Sequence, residues 1–173
     1  SNDMDAVVAP SENIVEDTGI VGEEEMSRTT EFIFGDESLL YIQVYKDPNT
    51  AAAGLAHDHV MRASNWTGGV WYNTGDISQC AMEFFVPVGE LKVDEDVMRE
   101  FVGYNDAITL DDRETIREHM LAEDQLDAES FPTISFTSSK CELVDEAVLR
   151  VTGDMTIRDV TQEWDVDINF VVN

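Results

Sequence analysis

The sequence predicts an all-β domain of about eight antiparallel strands interrupted once by helix, and three observations carry that expectation. Apolar and polar residues alternate through most of residues 31–173, the mark of strands with one buried face. Cys80, Met82, Phe84, Val86 and Val88 share one side of the clearest run. Trp164, Val166, Ile168, Phe170 and Val172 share one side of the last run, opposite Glu163, Asp165, Asp167 and Asn169. Between these runs, residues 94–122 change to helical spacing.

In chain order, residues 1–27 hold eight acids and no Lys or Arg, the composition of a solvated tether, so residues 1–30 are assigned to an acidic linker and 31–173 to the domain. The start, Ser1-Asn2-Asp3-Met4-Asp5, is acidic and has no signal-peptide pattern. A short strand is expected at Glu31-Phe32-Ile33-Phe34. In the next, Leu40, Ile42 and Val44 alternate with Tyr41, Gln43 and Tyr45 until Asp47-Pro48-Asn49 turns the chain. An extended stretch over 58–66 and Val70-Trp71-Tyr72 are separated by Gly68-Gly69, which predicts a hairpin. Pro87 marks the end of the Cys80–Val88 strand. Asp94 is placed to cap a helix carrying Val97, Met98, Phe101 and Val102, and Asp111 with Glu114 makes a capping box ahead of Ile116 and Met120. After Phe131-Pro132, Ile134 and Phe136 open one strand, and Leu149, Val151, Gly153, Met155 and Ile157 line another.

A chain of 173 residues with 43% hydrophobic content fits one domain with one core. Thirty-seven acids against ten Lys and Arg give a net charge of −27, which repels nucleic acid and anionic membrane and suits a well-solvated surface. No run of 18 apolar residues is present to span a bilayer as a helix. Cys80 and Cys141 allow one disulfide or two thiols, with buried free thiols the expectation. The two usual solutions for such a meander are a sandwich and a closed barrel, and composition does not separate them.

Longer motifs do. Phe131-Pro132-Thr133-Ile134-Ser135-Phe136-Thr137-Ser138, then Leu149 through Thr161 (LRVTGDMTIRDVT) and the apolar-alternating last strand, resemble the YceI-like family of lipocalin-like, polyisoprenoid-binding barrels. Met120 through Glu129 is similar to the family's helix-to-strand loop, and Leu55-Ala56-His57-Asp58-His59-Val60 with Ser64 through Val70 resembles a branch that carries a histidine pair. The likeness runs over roughly residues 38–172. It departs at Asp159, where the family usually has Gly, and at Glu163, where it often has Pro; Asp tolerates a left-handed turn.

The resemblance implies an eight-stranded antiparallel lipocalin-like barrel that binds and carries a long-chain isoprenoid lipid, ubiquinone-type in preference to octaprenyl phosphate, in a periplasmic or extracellular setting, and is not an enzyme. The ligand-binding residues expected are His57, His59, Trp66, Met82, Phe84, Val86, Phe136, Val151, Met155, Ile157, Trp164, Val166, Ile168 and Phe170. The expected partner is the lipid, with a dimer and a neighbouring domain beyond the linker left open. Alternatives are a scaffold domain without lipid, or a hydrolase or metal site using His57 and His59, whose i,i+2 spacing puts both rings on one strand face. A metal needs further donors, and no nucleophile motif accompanies the histidines. His57, His59, Asn65 or a Trp indole can donate to a quinone carbonyl. Arg62, Arg150 and Arg158 would favour a phosphate if the fold brought them together.

Overall fold

Alternation becomes strand almost wherever the sequence carries it. A computed structural model of the chain describes residues 7–9, 29–34, 38–46, 57–73, 76–146 and 148–169. Its elements are β1 (Val7–Ala9), β2 (Thr29–Ile33), β3 (Leu39–Val44), β4 (His59–Arg62), β5 (Thr67–Asn73), β6 (Asp76–Pro87), β7 (Lys92–Val93), α1 (Asp96–Phe101), α2 (Leu110–Leu121), β8 (Thr133–Asp145), β9 (Val148–Ile157) and β10 (Val160–Asn169). Eight of these strands have four residues or more, and β1 and β7 are short additions. Both helices fall inside the 94–122 interruption.

The strands form one sheet in the order β2-β5-β6-β8-β9-β10-β1-β3-β4-β7, antiparallel except for β1 against β10. Seven strand spacings separate β5 from β4 in that order, about 34 Å on a flat sheet. Yet only residues 63–66 join β4 to β5, a link that reaches about 18 Å at full extension. The sheet must therefore curl, and its inward side chains from β3 and from β6 line one common space. Among the described ladders β2 and β7 remain the two ends, and no pairing between them closes the curl.

The inner face holds the main core. Met82, Phe84 and Val86 of β6 meet Phe136 of β8, Val151 of β9 and Val166 and Ile168 of β10. Phe84 stacks on Phe136 with ring centroids 5.3 Å apart, and Trp66 meets Phe84 edge-on. A second, smaller cluster lies on the outer face, where Met98 of α1 covers Tyr41 and Val60. Tyr41 is thus buried although strand alternation places it on the solvent side.

Several expectations are corrected. β4 and β5 do not form a hairpin: β4 pairs with β3 and β7, and β5 with β2 and β6. Gly68 and Gly69 lie within β5, and Gly68 is required there by its φ of +147° and by its close approach to the backbone of Glu83 and Phe84. Asp94 does not cap α1, whose first turn follows Glu95 without a side-chain cap. The cap of α2 is Thr109, whose Oγ1 accepts from the Asp112 amide at 3.1 Å, two residues before the expected Asp111. Arg158 takes the left-handed conformation in the β9–β10 turn, with φ 58°.

Cys80 and Cys141 are not free thiols. They are joined as a disulfide with Cα atoms 5.8 Å apart. β6 and β8 are neighbours, and pairing brings the two residues within bridging range. Closing a loop with a sequence separation of 61 is worth about 4 kcal/mol on chain-entropy grounds. Within the segment assigned to the linker, Val7–Ala9 pairs with β3 at Leu39–Tyr41 and with β10 at Ile168. A triplet of Val7, Val8 and Ala9 has strand propensity that the acidic average of the segment conceals.

Among the described residues no helix is long and apolar enough to cross a membrane. The tightest backbone approach gives a direct test of the fold. A Cβ added at Gly153 of β9 would lie closer than 3.0 Å to the Thr137 carbonyl oxygen, the Ser138 Cα and the Phe136 ring. Gly153→Ala is expected to cost about 3 kcal/mol in urea unfolding, since two of those neighbours are backbone and cannot rotate away. An unchanged midpoint would show that β8 and β9 are farther apart than described.

Candidate functional site

The curl leaves part of the inner face unfilled. Leu40 and Ile42 of β3, Phe84 and Val86 of β6, Ile134 of β8 and Trp164 of β10 surround a chamber of about 50 Å3. Leu91, Ala63, Tyr41, Met155 and Ile157 complete it, so among the described residues no charged side chain lines the space. Above it lies a groove of about 570 Å3 between the sheet and α2. Val44 and Met61 of the sheet, Ile116 and Met120 of α2, and Leu126 line the groove. Ile42, Leu91, Ile134 and Ile157 line both spaces, so groove and chamber adjoin along these four side chains. His119, Asp124 and Gln125 are the polar residues on the groove wall.

The residues expected to bind ligand separate into four groups. Phe84, Val86, Met155, Ile157 and Trp164 line the chamber. Met82, Phe136, Val151, Val166 and Ile168 do not line either space and are packed core, each 5% exposed or less. Trp66 packs against that core, 4.6 Å from Phe34 ring to ring. Phe170 lies outside the described residues. His57 and His59 line neither space. They take separate partners: His57 stands 3.7 Å from Asp106 on the surface, while His59 is hydrogen-bonded to Asp94.

Sequence reasoning missed the groove. Its α2 wall, Ile116 and Met120, was legible as an i,i+4 apolar pair, but that spacing says only that the face is covered, not that it borders a hollow. Leu91 and His119 carried no periodic signal at all. Ile42 and Ile134 were read as inward strand residues.

A family model described as the YceI-like domain matches residues 46–173, well over half the chain. The chain belongs to the YceI-like family. This family is known for a polyisoprenoid-binding fold. Among solved structures, the chain is similar to a crystal structure of Burkholderia cenocepacia BcnA, with 16% identity over 77% of this chain and 68% of that one and a TM-score of 0.54. A crystal structure of a Campylobacter jejuni YceI protein is 16% identical, with a TM-score of 0.45, over 62% of this chain and about half, 52%, of that one. At such identities the likeness to the Burkholderia protein speaks for the fold alone. Among curated proteins, none matches the chain.

Among the described residues no Lys or Arg lines the groove or chamber of this YceI-like domain. Most cations elsewhere are paired with carboxylates. Arg62 makes two hydrogen bonds to Glu95, at 2.6 and 2.9 Å, and Arg150 two to Asp167, at 2.8 and 2.7 Å. The Glu95 and Asp167 carboxyls consequently lie below, and the two guanidinium groups above, their ordinary pKa ranges. Arg158 donates to the Gln125 carbonyl at 2.7 Å and sits over the Phe131 ring. Arg62, Arg150 and Arg158 therefore do not converge on a common site.

The most buried charge serves the framework. Asp94 is 0% exposed, in a left-handed conformation with φ 48°. Its Oδ2 lies 2.7 Å from His59 Nδ1, and its Oδ1 accepts from the Val60 amide at 3.0 Å and from Arg99 Nη1 at 2.8 Å. Arg99 also donates to the carbonyls of Asp58 and Asp106. One carboxylate thus ties β4 to α1 and, through Arg99, to the loop after it. This role explains why His59 is absent from the groove, and why Asp94 is not a cap. Among the described residues no group of three or more His, Cys, Asp or Glu is arranged to hold a metal.

Burial pushes the Asp94 carboxyl up, but the hydrogen bonds from His59, Val60 and Arg99 outweigh it and hold the pKa below the ordinary value. With the folded pKa lowered, Asp94 contributes stability at pH values above about 4 that is lost as pH falls through the folded pKa. Asp94→Asn, which keeps the shape and tolerates the left-handed backbone, should cost about 3 kcal/mol at pH 7 by leaving Arg99 buried without its counter-charge. Urea unfolding at pH 7 and at pH 3 should show the difference between wild type and variant shrinking in acid. An equal difference at both pH values would remove the charge pair as its cause.

Proposed function

We propose that this YceI-like domain binds and carries an isoprenoid lipid with a neutral headgroup, ubiquinone-type in preference to octaprenyl phosphate, and performs no catalysis. The observation that carries this reading is an apolar chamber adjoining a larger groove, with no Lys or Arg on the wall of either among the described residues. A prenyl tail gains ~25 cal/mol per Å2 of apolar surface removed from water, so a few buried units offset the cost of association without a charged anchor. The curled sheet then acts as the barrel of the carrier.

A phosphate at the groove would meet the Asp124 carboxylate and a protein of net charge −27, and the nearby Arg158, on the Gln125 carbonyl, already stands 3.9 Å from the Asp127 carboxylate. A quinone needs only donors for its carbonyls, and His119 and Gln125 supply them. These replace the donors expected from sequence. His59 is engaged by Asp94, and Asn65 donates to Glu90 at 3.1 Å. The cross-strand disulfide supports a periplasmic or extracellular setting, since such bonds persist in oxidising compartments.

Lipid extraction of protein purified without detergent, followed by mass spectrometry, should recover an isoprenoid. Ubiquinone and octaprenyl phosphate should then be titrated side by side at several salt concentrations. The expected result is quinone binding indifferent to salt and weakened about tenfold by His119→Ala, a loss of the size of one buried hydrogen bond. Tighter, salt-weakened binding of the phosphate would refute the neutral headgroup. Recovery of no lipid, with neither ligand raising the melting temperature, would favour a scaffold role.

A further inference from the structure

Three apolar side chains project from the helical insertion. Val97 and Phe101 of α1 are 70% and 62% exposed, and Leu110, the first residue of α2, is 78% exposed, each more than any other large hydrophobic side chain among the described residues. Apolar residues scattered singly over a surface need no explanation, but these share one region. Val97 and Phe101 lie one turn apart on one face of α1. Arg113 of α2 bonds to Asp96, the residue before Val97, so Val97 and Leu110 each lie within one turn of a common ion pair. The platform is rigid. Phe101 packs edge-on against the buried Tyr41, with ring centroids 5.8 Å apart, and Arg99 pins α1 through Asp94 to β4. Side chains presented in this way lose little freedom when a partner covers them.

The charges around them are sorted by sign. Asp96, Glu100, Asp106, Asp111, Asp112 and Glu114 are all exposed. The two bases of the same stretch, Arg99 and Arg113, are largely buried and paired with Asp94 and Asp96. The bases that flank the stretch are engaged as well, Arg62 by Glu95, Lys92 at 4.0 Å from Glu90, and Arg117 by the Gly89 carbonyl. The outward aspect is therefore apolar and acidic. It repels an anionic membrane, a nucleic acid and a second copy of this chain of net charge −27, since each brings negative charge of its own. Its complement offers apolar side chains among Lys and Arg. We infer that Val97, Phe101 and Leu110, within this acidic rim, form a docking surface for a partner protein whose contact segment is both apolar and basic. None of the three lines the groove or the chamber, so the surface stands independently of the isoprenoid reading.

The probe is a synthetic amphipathic helix of Leu and Lys, titrated calorimetrically at several salt concentrations beside the same helix with Glu in place of Lys, and beside phosphatidylcholine vesicles. The Lys helix should bind, more weakly as salt rises, and the Glu helix should not. Val97→Ser with Leu110→Ser, which leaves the charge unchanged, should weaken binding about tenfold, whereas Val160→Ser, at an exposed apolar site in β10, should leave it within twofold. Glu100→Gln with Asp111→Asn should weaken it several-fold and flatten its salt dependence. All these side chains are exposed, so melting temperatures should stay within about 2 °C of wild type. Failure of the Lys helix to bind, or binding that the Val97 and Leu110 substitutions leave intact, would overturn the docking surface, the latter showing only a general attraction to an acidic protein. Vesicle binding abolished by those two substitutions would make the face a membrane contact instead. A larger fall in their melting temperature would show that the chain itself covers these side chains, and would overturn the surface as well.

Discussion

The connection across residues 63–66 is the constraint from which the rest of the architecture follows. It joins strands that stand second and ninth in a ten-stranded order, and only a sheet curled on itself satisfies so short a link. Once the curl exists, inward side chains from distant strands face one another, and their sizes decide whether the interior is solid or hollow. Phe84, Phe136 and Met82 fill one end. Toward α2 the lining is mainly Ile, Leu, Val and Met, and a hollow remains. The solid end anchors the sheet and the hollow end can vary.

The anchoring is layered. The disulfide clips β6 to β8 beside the packed end, where both cysteines join the core. On the outer surface a single buried carboxylate draws β4 and α1 together, under a helix only six residues long that could not fold alone. α2 has no fully buried residue of its own; Met120 and Leu121 pack half-buried against the main core, and Arg117 donates to the Gly89 carbonyl at 2.7 Å.

Much of the sheet was legible in the sequence, for a physical reason: period-two patterning survives wherever one strand face is solvated. β6, β9 and β10 were read in the right place with the right inward residues, and Pro87 ends β6. Reading failed where burial came from something other than the sheet interior. Tyr41 is covered by a helix on the outside, so its strand has two buried faces where the pattern implied one. Gly68-Gly69 signalled a turn because two glycines usually mark one, but here they let two strands approach. Among candidate ligand residues, alternation identified the inward set and could not divide it, because a side chain bordering a hollow and one packed in a core are drawn from the same apolar alphabet. Phe136 and Ile134 lie two apart on β8, yet one is packed core and the other borders the hollow. The histidine pair misled because a short spacing was taken as a shared purpose, while each ring answers a different carboxylate.

The pairing of the cations has a colloidal consequence. With most Arg and Lys side chains paired with individual carboxylates, what keeps these molecules apart in solution is the large excess of acid. Acidification removes that excess first. Near the sequence pI of about 4.1 the net charge vanishes, and suspensions of uncharged proteins associate. Asp94, held below the ordinary carboxylate range by hydrogen bonds from His59, Val60 and Arg99, gives up its charge after the exposed acids do, so repulsion between molecules fades at a higher pH than the tie between β4 and α1.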